Sequence, residues 1–291
     1  MSSSRPVFVL ATSFALAACG GSAFSPVTSD DGGASGDAAS DASTSDASDA
    51  SPSDASASDA RAPDAPPQRS WCATQPLTAI CEDFDDVADV SALAFKWQGA
   101  VIGNGTIAMI RDPLAPSAPH AFGATAGNND AALLLHPPIV VGNATTVRVE
   151  YDLRIDRQGV GLFDAAALVT LLLGTDPNAD TAVFLYISYG GGLTLGWSDP
   201  ASAGRGFHYQ SIPNATPTAG KWDGRWGFTV SLFNGSLRVL HDGADVGGTD
   251  NGLGASELHP ISLTLGAGIA HDTGTVGTVS ILVDNLVMDL K

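Results

Sequence analysis

Four acids crowd one cysteine and one phenylalanine in TAICEDFDD, residues 78–86. Three kinds of chemistry use such a grouping. A hard cation such as Ca²⁺ gathers about six to eight oxygens, carboxylates among them. A pair of carboxylates can serve as acid and base. A cysteine can close a structural clasp. A second grouping, EYDLRI at residues 150–155, sets Glu150 and Asp152 two positions apart. On a strand that spacing points both carboxylates to one face. Arg148 and Arg154 interleave with them, so a solvated face of alternating charge is the competing reading. The aromatic residues offer a third chemistry, because sugars stack on exposed rings and are held by Asp, Asn and Arg. Trp197 precedes Ser-Asp-Pro, GRGFHYQ (204–210) presents Phe207 or Tyr209 around His208, and Trp222 and Trp226 bracket Asp-Gly-Arg. The candidate ligand-binding set is Glu150, Asp152, Arg154, Trp197, Asp199, Tyr209 and Trp226. Against it stands ordinary packing, since large aromatics dominate β-sandwich cores. No G-x-S-x-G elbow, H-E-x-x-H helix or phosphate loop occurs, and the glycines of FGATAG (122–127) and GLGAS (252–256) lack a strand-to-helix context.

These residues need a scaffold, and the chain supplies it in three pieces. Arg5 and the apolar run PVFVLATSFALAA lead to Cys19. That run is shorter than the roughly 20 residues a permanent membrane span requires, and reads as a secretory signal over residues 1–18. From Cys19 to Arg69 the chain is nearly all Asp, Ala, Ser, Gly and Pro, as in SDASTSDASDASPSDASASDARAPDAPP. With no apolar face to repay ordering, this stretch is expected to be a disordered tether. Its roughly 50 residues would reach about 40 Å if flexible, and further with self-repelling Asp. The tether's aspartates supply part of the formal charge of −18. So acidic a chain lacks the basic patch that a nucleic-acid partner demands.

Cys72 and Cys81 form an even pair in an exported chain, where disulfides persist. A loop this small stabilises a fold by somewhat under about 3 kcal/mol in the chain-entropy model. Zinc is the alternative for the pair. It needs further Cys or His ligands, and the six histidines are scattered singly.

Residues 70–291 carry the alternation of strands. TVRVEYDLRID (146–156) places Val147, Val149, Tyr151, Leu153 and Ile155 on one face and charged residues on the other. AALVTLLLG, TAVFLYISY, LTLGW, ISLTLGAGI and VSILVDNLVMDL read as further strands. FTVSLFNGSLRVLHDG (228–243) reads as a hairpin about Asn234-Gly235. No stretch has a convincing helical period, so a long parallel sheet with crossover helices is excluded. The expected fold class is all-β: a two-sheet antiparallel jelly-roll sandwich of one domain, 70–291.

Two resemblances extend this reading. Leu16-Ala17-Ala18-Cys19 resembles the bacterial lipobox. That resemblance implies a diacylglyceryl group on Cys19, hence a lipid-anchored envelope protein in contact with the membrane. Gly20, where an Asp would favour inner-membrane retention, implies outer-membrane delivery. The start CEDFDD, the Gly-Lys-Trp at 220–222 before a long hairpin, and the closing LVDNLVM (282–288) together resemble the concanavalin A-like lectin/glucanase superfamily, laminin G-like jelly rolls in particular. In that superfamily the entry segment and the closing strand meet at a sheet edge. The resemblance implies one structural calcium ion near Glu82, Asp83 and Asp284, with Phe84 as a core anchor; solvated acids or turn caps are the alternative. Laminarinase-type relatives carry E-x-D-x-x-E, and here Glu150 and Asp152 are followed by Ile155 in the third position. Without that acid a leaving oxygen has no proton donor. The expected function is therefore a non-catalytic binding module for carbohydrate or another cell-surface ligand. A glycan hydrolase or lyase with an unfamiliar site, and a structural envelope protein with a protein partner, are the alternatives.

Overall fold

A computed structural model describes residues 70–76, 79–127, 130–158, 165–173, 181–187, 192–199, 206–250, 253, 261–270 and 277–291. The signal segment, Cys19 and the tether lie outside the described residues.

The longest alternating run of the sequence is the strand on which the sandwich is built. Val147, Val149, Tyr151, Leu153 and Ile155 are buried, while the residues between them face outward. This strand, β6 (Thr146–Gln158), has neighbours on both edges. Five strands precede it: β1 (Ile80–Glu82), β2 (Gln98–Ile102), β3 (Thr106–Arg111), β4 (His120–Gly127) and β5 (Ala131–Leu135). After it come β7 (Ala165–Leu173), β8 (Thr181–Ile187), β9 (Leu193–Asp199), β10 (Gly206–Ser211), β11 (Trp222–Ser231), β12 (Leu237–His241), β13 (Ala244–Thr249), β14 (Ile261–Ala270) and β15 (Thr278–Leu290). One sheet runs β13-β12-β11-β6-β15-β4-β3, and β1 adds to β15 beyond the end of β4. The other runs β10-β9-β8-β7-β14-β5-β2. All pairings among the described residues are antiparallel. The fold is an all-β, two-sheet antiparallel jelly-roll sandwich.

The inner faces of both sheets share one core, in which Trp97, Trp226, Tyr151, Phe84, Phe122 and Phe228 are the largest enclosed side chains. Non-polar burial of this extent is the dominant favourable contribution to such a fold.

Strands β4 and β5 carry little of the β-branched and aromatic signal that marks a strand from sequence. FGATAG is an example: it lies in β4, paired on both edges. Gly123 is needed there because a Cβ would lie 2.5 Å from Ile110 Cγ1 on β3.

The expected hairpin is present as β11 and β12, but Asn234-Gly235 is not a two-residue turn. Val230 pairs with Leu237 and residues 232–236 connect them. Asn234 Oδ1 accepts the Ser236 N–H at 3.1 Å, and Gly235 has φ 65°. The tight turn is Asp242-Gly243, between β12 and β13, with φ values of 49° and 79°. Two successive positive φ angles match the type I′ turn that suits the strand twist. A Cβ on Gly235 would fall 1.8 Å from the Leu253 carbonyl oxygen. Gly235→Ala is therefore expected to destabilise the domain by more than about 1 kcal/mol, read as a lower urea midpoint at unchanged m-value.

Candidate functional site

The acids around Cys81 divide their work. Cys72 and Cys81 form a disulfide across a sequence separation of 9, which ties the 3-10 turn Trp71–Thr74 to β1. Asp83 completes this clasp: one carboxylate oxygen accepts from the Ser70 hydroxyl and, at 3.1 Å, from the Cys72 N–H. Glu82 turns the other way and accepts from Lys96 Nζ at 2.9 Å and from the Trp97 indole N–H at 3.5 Å. Phe84 has φ 59°, a costly backbone state for a bulky side chain, and its ring enters the core beside Phe122. Asp85 receives the His120 N–H at 3.3 Å.

Asp284 is 0% exposed, at a bulge where β15 shifts register against β6. It accepts from the Ser117 N–H at 2.9 Å, the Ser117 hydroxyl at 2.8 Å and the Asn285 N–H at 2.8 Å. Burial nevertheless pushes its carboxyl up to about 6, and the nearby Asp85 charge adds to the shift.

These contacts test the calcium expectation. Glu82, Asp83 and Asp284 each have their own donors, and the three carboxylates do not converge. Among the described residues no group of three or more His, Cys, Asp or Glu could hold a metal ion. The entry segment approaches Asp284 through a main-chain oxygen: the Ser117 hydroxyl that bonds Asp284 lies 3.4 Å from the Asp83 carbonyl. As a set the three side chains do not fit one ion.

Glu150 and Asp152 share the outward face of β6, as their spacing requires, but they are bound into a network. Arg225 of β11 lies between them, with Nε 3.5 Å from Glu150 and Nη1 3.5 Å from Asp152. Arg225 also donates to the Asn285 carbonyl at 3.2 Å, while the Asn285 amide donates to Asp152 at 2.7 Å. Arg148 pairs with Glu150, and the Trp71 ring of the clasp covers Arg225 at 5.0 Å. Burial raises the Asp152 carboxyl, with the Asn285 hydrogen bond and the Arg225 charge pulling it back. Ile155, in the position of the third glucanase acid, is 2% exposed and faces the core, on the other side of the strand. The next acid on that face of β6, Asp156, is paired with Arg154 at 2.9 Å, and Glu150 and Asp152 are held in an ion network of their own.

The seven candidate ligand residues do not share a face. Arg154 lies beyond Asp152 on the same outward face, between Asp112 at 3.0 Å and Asp156 at 2.9 Å. Trp226 is 1% exposed, stacks on His241 at 4.0 Å and donates to Asp223. Trp197 is 8% exposed and stacks on His208 at 5.3 Å. Both tryptophans belong to the core cluster, so neither ring lies on an open sheet face. Asp199 ends β9 opposite Gly206.

Tyr209, 41% exposed, stands instead on the outward face of the seven-stranded sheet, where two rings absent from the sequence-based set meet it. Phe184 and Tyr186 alternate with the core residues Val183, Leu185 and Ile187, so they point away from the sandwich interior, yet at 3% and 8% exposure they are themselves enclosed and Tyr209 is the ring that meets solvent. Ring centroids are 5.7 Å apart for Phe184–Tyr186, 6.0 Å for Tyr186–Tyr209 and 6.5 Å for Phe184–Tyr209. Gly196 makes room for this patch: a Cβ there would sit 2.2 Å from the Phe184 ring. Thr194 is opposite Tyr186 on the neighbouring strand. Burial, with Tyr209 alongside, pushes the Tyr186 phenol up to about 12, which keeps it a donor at neutral pH. Period two within TAVFLYISY was the signal that could have revealed these rings, but both faces of β8 are apolar and the alternation is hidden.

No family model and no curated protein matches the chain. Solved structures do. A sialidase superposes with TM-score 0.51 at 11% identity over 74% of this chain, which spans 18% of that protein's length. Cellulose induced protein, Cip1, gives TM-score 0.49 at 14% identity, covering 72% of this chain and 96% of that one. A botulinum neurotoxin type C, whose cell entry depends upon interaction with two ganglioside molecules, gives TM-score 0.45 at 11% identity over 67% of this chain and 43% of that one. At 11% identity the sialidase likeness is one of fold, and it agrees with the β-sandwich described above.

The raised Asp284 pKa makes stability depend on pH with a defined sign. The folded value of about 6 lies above the unfolded value of about 3.9, so the native state binds the extra proton between them. In metal-free protein, stability is expected to fall as pH rises from about 4 to about 6, by an amount on the order of 2–3 kcal/mol from this group. Asp284→Asn should remove that slope. Urea titrations of both proteins in chelator across this range check it; parallel curves would dismiss the assignment.

Proposed function

We propose that this chain is a surface-tethered lipoprotein of the bacterial envelope whose sandwich is a non-catalytic binding module for carbohydrate or another cell-surface ligand. In this reading Cys19 carries the lipid, residues 19–69 form the tether, residues 70–291 form the module, and the destination is the outer membrane. The observation that carries the binding role is the exposed ring of Tyr209 on the outward face, backed by Phe184 and Tyr186. The two backing rings are enclosed in a small cluster with Ala182, so they hold Tyr209 in place while its own ring meets solvent. An exposed phenol on such a support suits a ligand with an apolar C–H face and polar edges. The sialidase likeness supports the fold that this reading assumes. The non-catalytic part rests on Glu150 and Asp152, which are tied to Arg225 and Asn285 and lack the third acid.

A glycan array with the exported protein, in calcium and in chelator, tests the module. Saturable binding of at least one glycan is expected, weakened about tenfold by Tyr209→Ala, the cost of roughly one lost stacking contact. Release of reducing ends in the same incubation would reject the non-catalytic reading. A fall in melting temperature on chelation that Asp284→Asn abolishes would support a cation at the Asp284 corner, with main-chain oxygens in place of the Glu82 and Asp83 side chains. The anchoring is tested separately. Cys19→Ser is expected to abolish labelling by radioactive palmitate and to move the protein out of the membrane fraction.

A further inference from the structure

The outward face of the eight-stranded sheet carries a groove of about 380 Å³, on the opposite side of the sandwich from the aromatic patch. That volume is within the range of about 300–1,000 Å³ typical of ligand sites. Strand register dictates its floor. Thr106 of β3 is opposite Thr125 of β4, Thr125 is opposite Ser280 of β15, and Ser280 is opposite Asp156 of β6. One transverse row of three hydroxyls and a carboxylate thus crosses four strands, a span of about 14 Å at the usual strand spacing. The Thr125 and Ser280 hydroxyls bond each other at 2.7 Å. The adjacent row is Ala108, Gly123, Leu282 and Arg154 by the same register. It is small and apolar up to its last member, and Ile110 leans over Gly123.

Charge decides what such a groove accepts. The charge of Arg154 is already matched: its terminal nitrogens pair with Asp112 at 3.0 Å and Asp156 at 2.9 Å. Asp112 is further held by the Trp222 indole N–H at 3.2 Å, and Asp156 by the Gly220 N–H. Arg111 ends β3, one step out of the outward-facing run Thr106, Ala108 and Ile110. The charged residues of the lining therefore balance, two cations against two anions. An anionic ligand laid on the hydroxyl row would meet Asp156 at its end, and Arg111, the lining guanidinium outside the Asp112 and Asp156 pairs, stands at the opposite end of β3 from Thr106.

We propose that this groove is a second ligand site of the module, taking a neutral oligosaccharide that runs across β3, β4, β15 and β6. The inference rests on the carbohydrate reading given above. The hydroxyl row and Asp156 bond the sugar hydroxyls, and Ala108, Gly123, Leu282 and Ile110 receive a C–H face of the ring.

The test is calorimetric titration of the detergent-solubilised full-length protein with cellohexaose, laminarihexaose and mannohexaose, and with hexagalacturonate as the anionic probe. At least one neutral hexasaccharide should bind saturably and hexagalacturonate should not. Thr125→Val and Ser280→Ala should each weaken the neutral ligand about five- to tenfold, the worth of roughly one hydrogen bond, at unchanged melting temperature. Thr106→Val, at an exposed position of an edge strand, repeats the test should Thr125→Val disturb folding. If Tyr209→Ala removes hexasaccharide binding while the three groove variants keep it, the sugar sits on the other sheet; the groove proposal then falls and the module reading stands. Saturable binding of hexagalacturonate in the groove overturns the charge argument and the proposal with it. If none of these saccharides binds, the groove proposal fails, and the module reading is decided by the glycan array.

Discussion

The last strand, Thr278–Leu290, is hydrogen-bonded along both edges, and the rest of the molecule is arranged by that fact. On one side it follows β6 for almost its whole length; on the other it pairs first with β4 and then with β1. A strand in that position must satisfy its backbone groups entirely from its neighbours, because water reaches neither edge. The register break between Asp284 and Val287 is the one place where this pairing is interrupted against β6. There the chain puts its most enclosed carboxylate, saturated by Ser117 and Asn285, and there Asn285 reaches Asp152. The bulge thereby joins the entry clasp, the β3–β4 connection and the ion network of β6 at one corner of the sandwich.

That corner ties up the paired carboxylates of β6, which is what the proposed non-catalytic reading rests on. Catalysis by two carboxyl groups needs one of them protonated and both free to approach a substrate. Glu150 and Asp152 instead spend their oxygens on Arg225, Arg148 and Asn285, under the Trp71 ring. The surfaces proposed for ligands are of another kind: Tyr209 with its backing rings on one sheet and a hydroxyl-floored groove on the other.

Legibility in the sequence followed the strength of local signals. The alternation of TVRVEYDLRID assigned the buried residues of 146–156 correctly, and the even pair of cysteines in a chain read as exported was enough to join Cys72 to Cys81. Strands β1 to β5 were missed because β1 is only three residues long, β2 and β3 are short, and β4 and β5 are rich in Ala, Gly and Leu, which advertise little β propensity. The partners of Glu150 and Asp152 were invisible, since Arg225 and Asn285 come from distant strands and are brought near only by sheet order. Trp197 and Trp226 were offered as ligand contacts because composition cannot say which side of a strand a ring occupies; the structure places both in the core. Phe184 and Tyr186 were hidden for the converse reason, as outward residues embedded in an unbroken apolar run.

The disulfide also sets a mechanical path. Tension applied to the chain ahead of Ser70 passes at Cys72 directly to Cys81, so residues 73–80 bear none of it and cannot be drawn out as slack. The load arrives at β1, whose three residues lie along the end of β15, and immediately behind them at Phe84, wedged between the sheets. A short shear bond backed by a buried ring is stiff over small displacements and then yields at once. A domain pulled from this end therefore resists as a single body up to a threshold, where a chain entering without the cross-link would lengthen first.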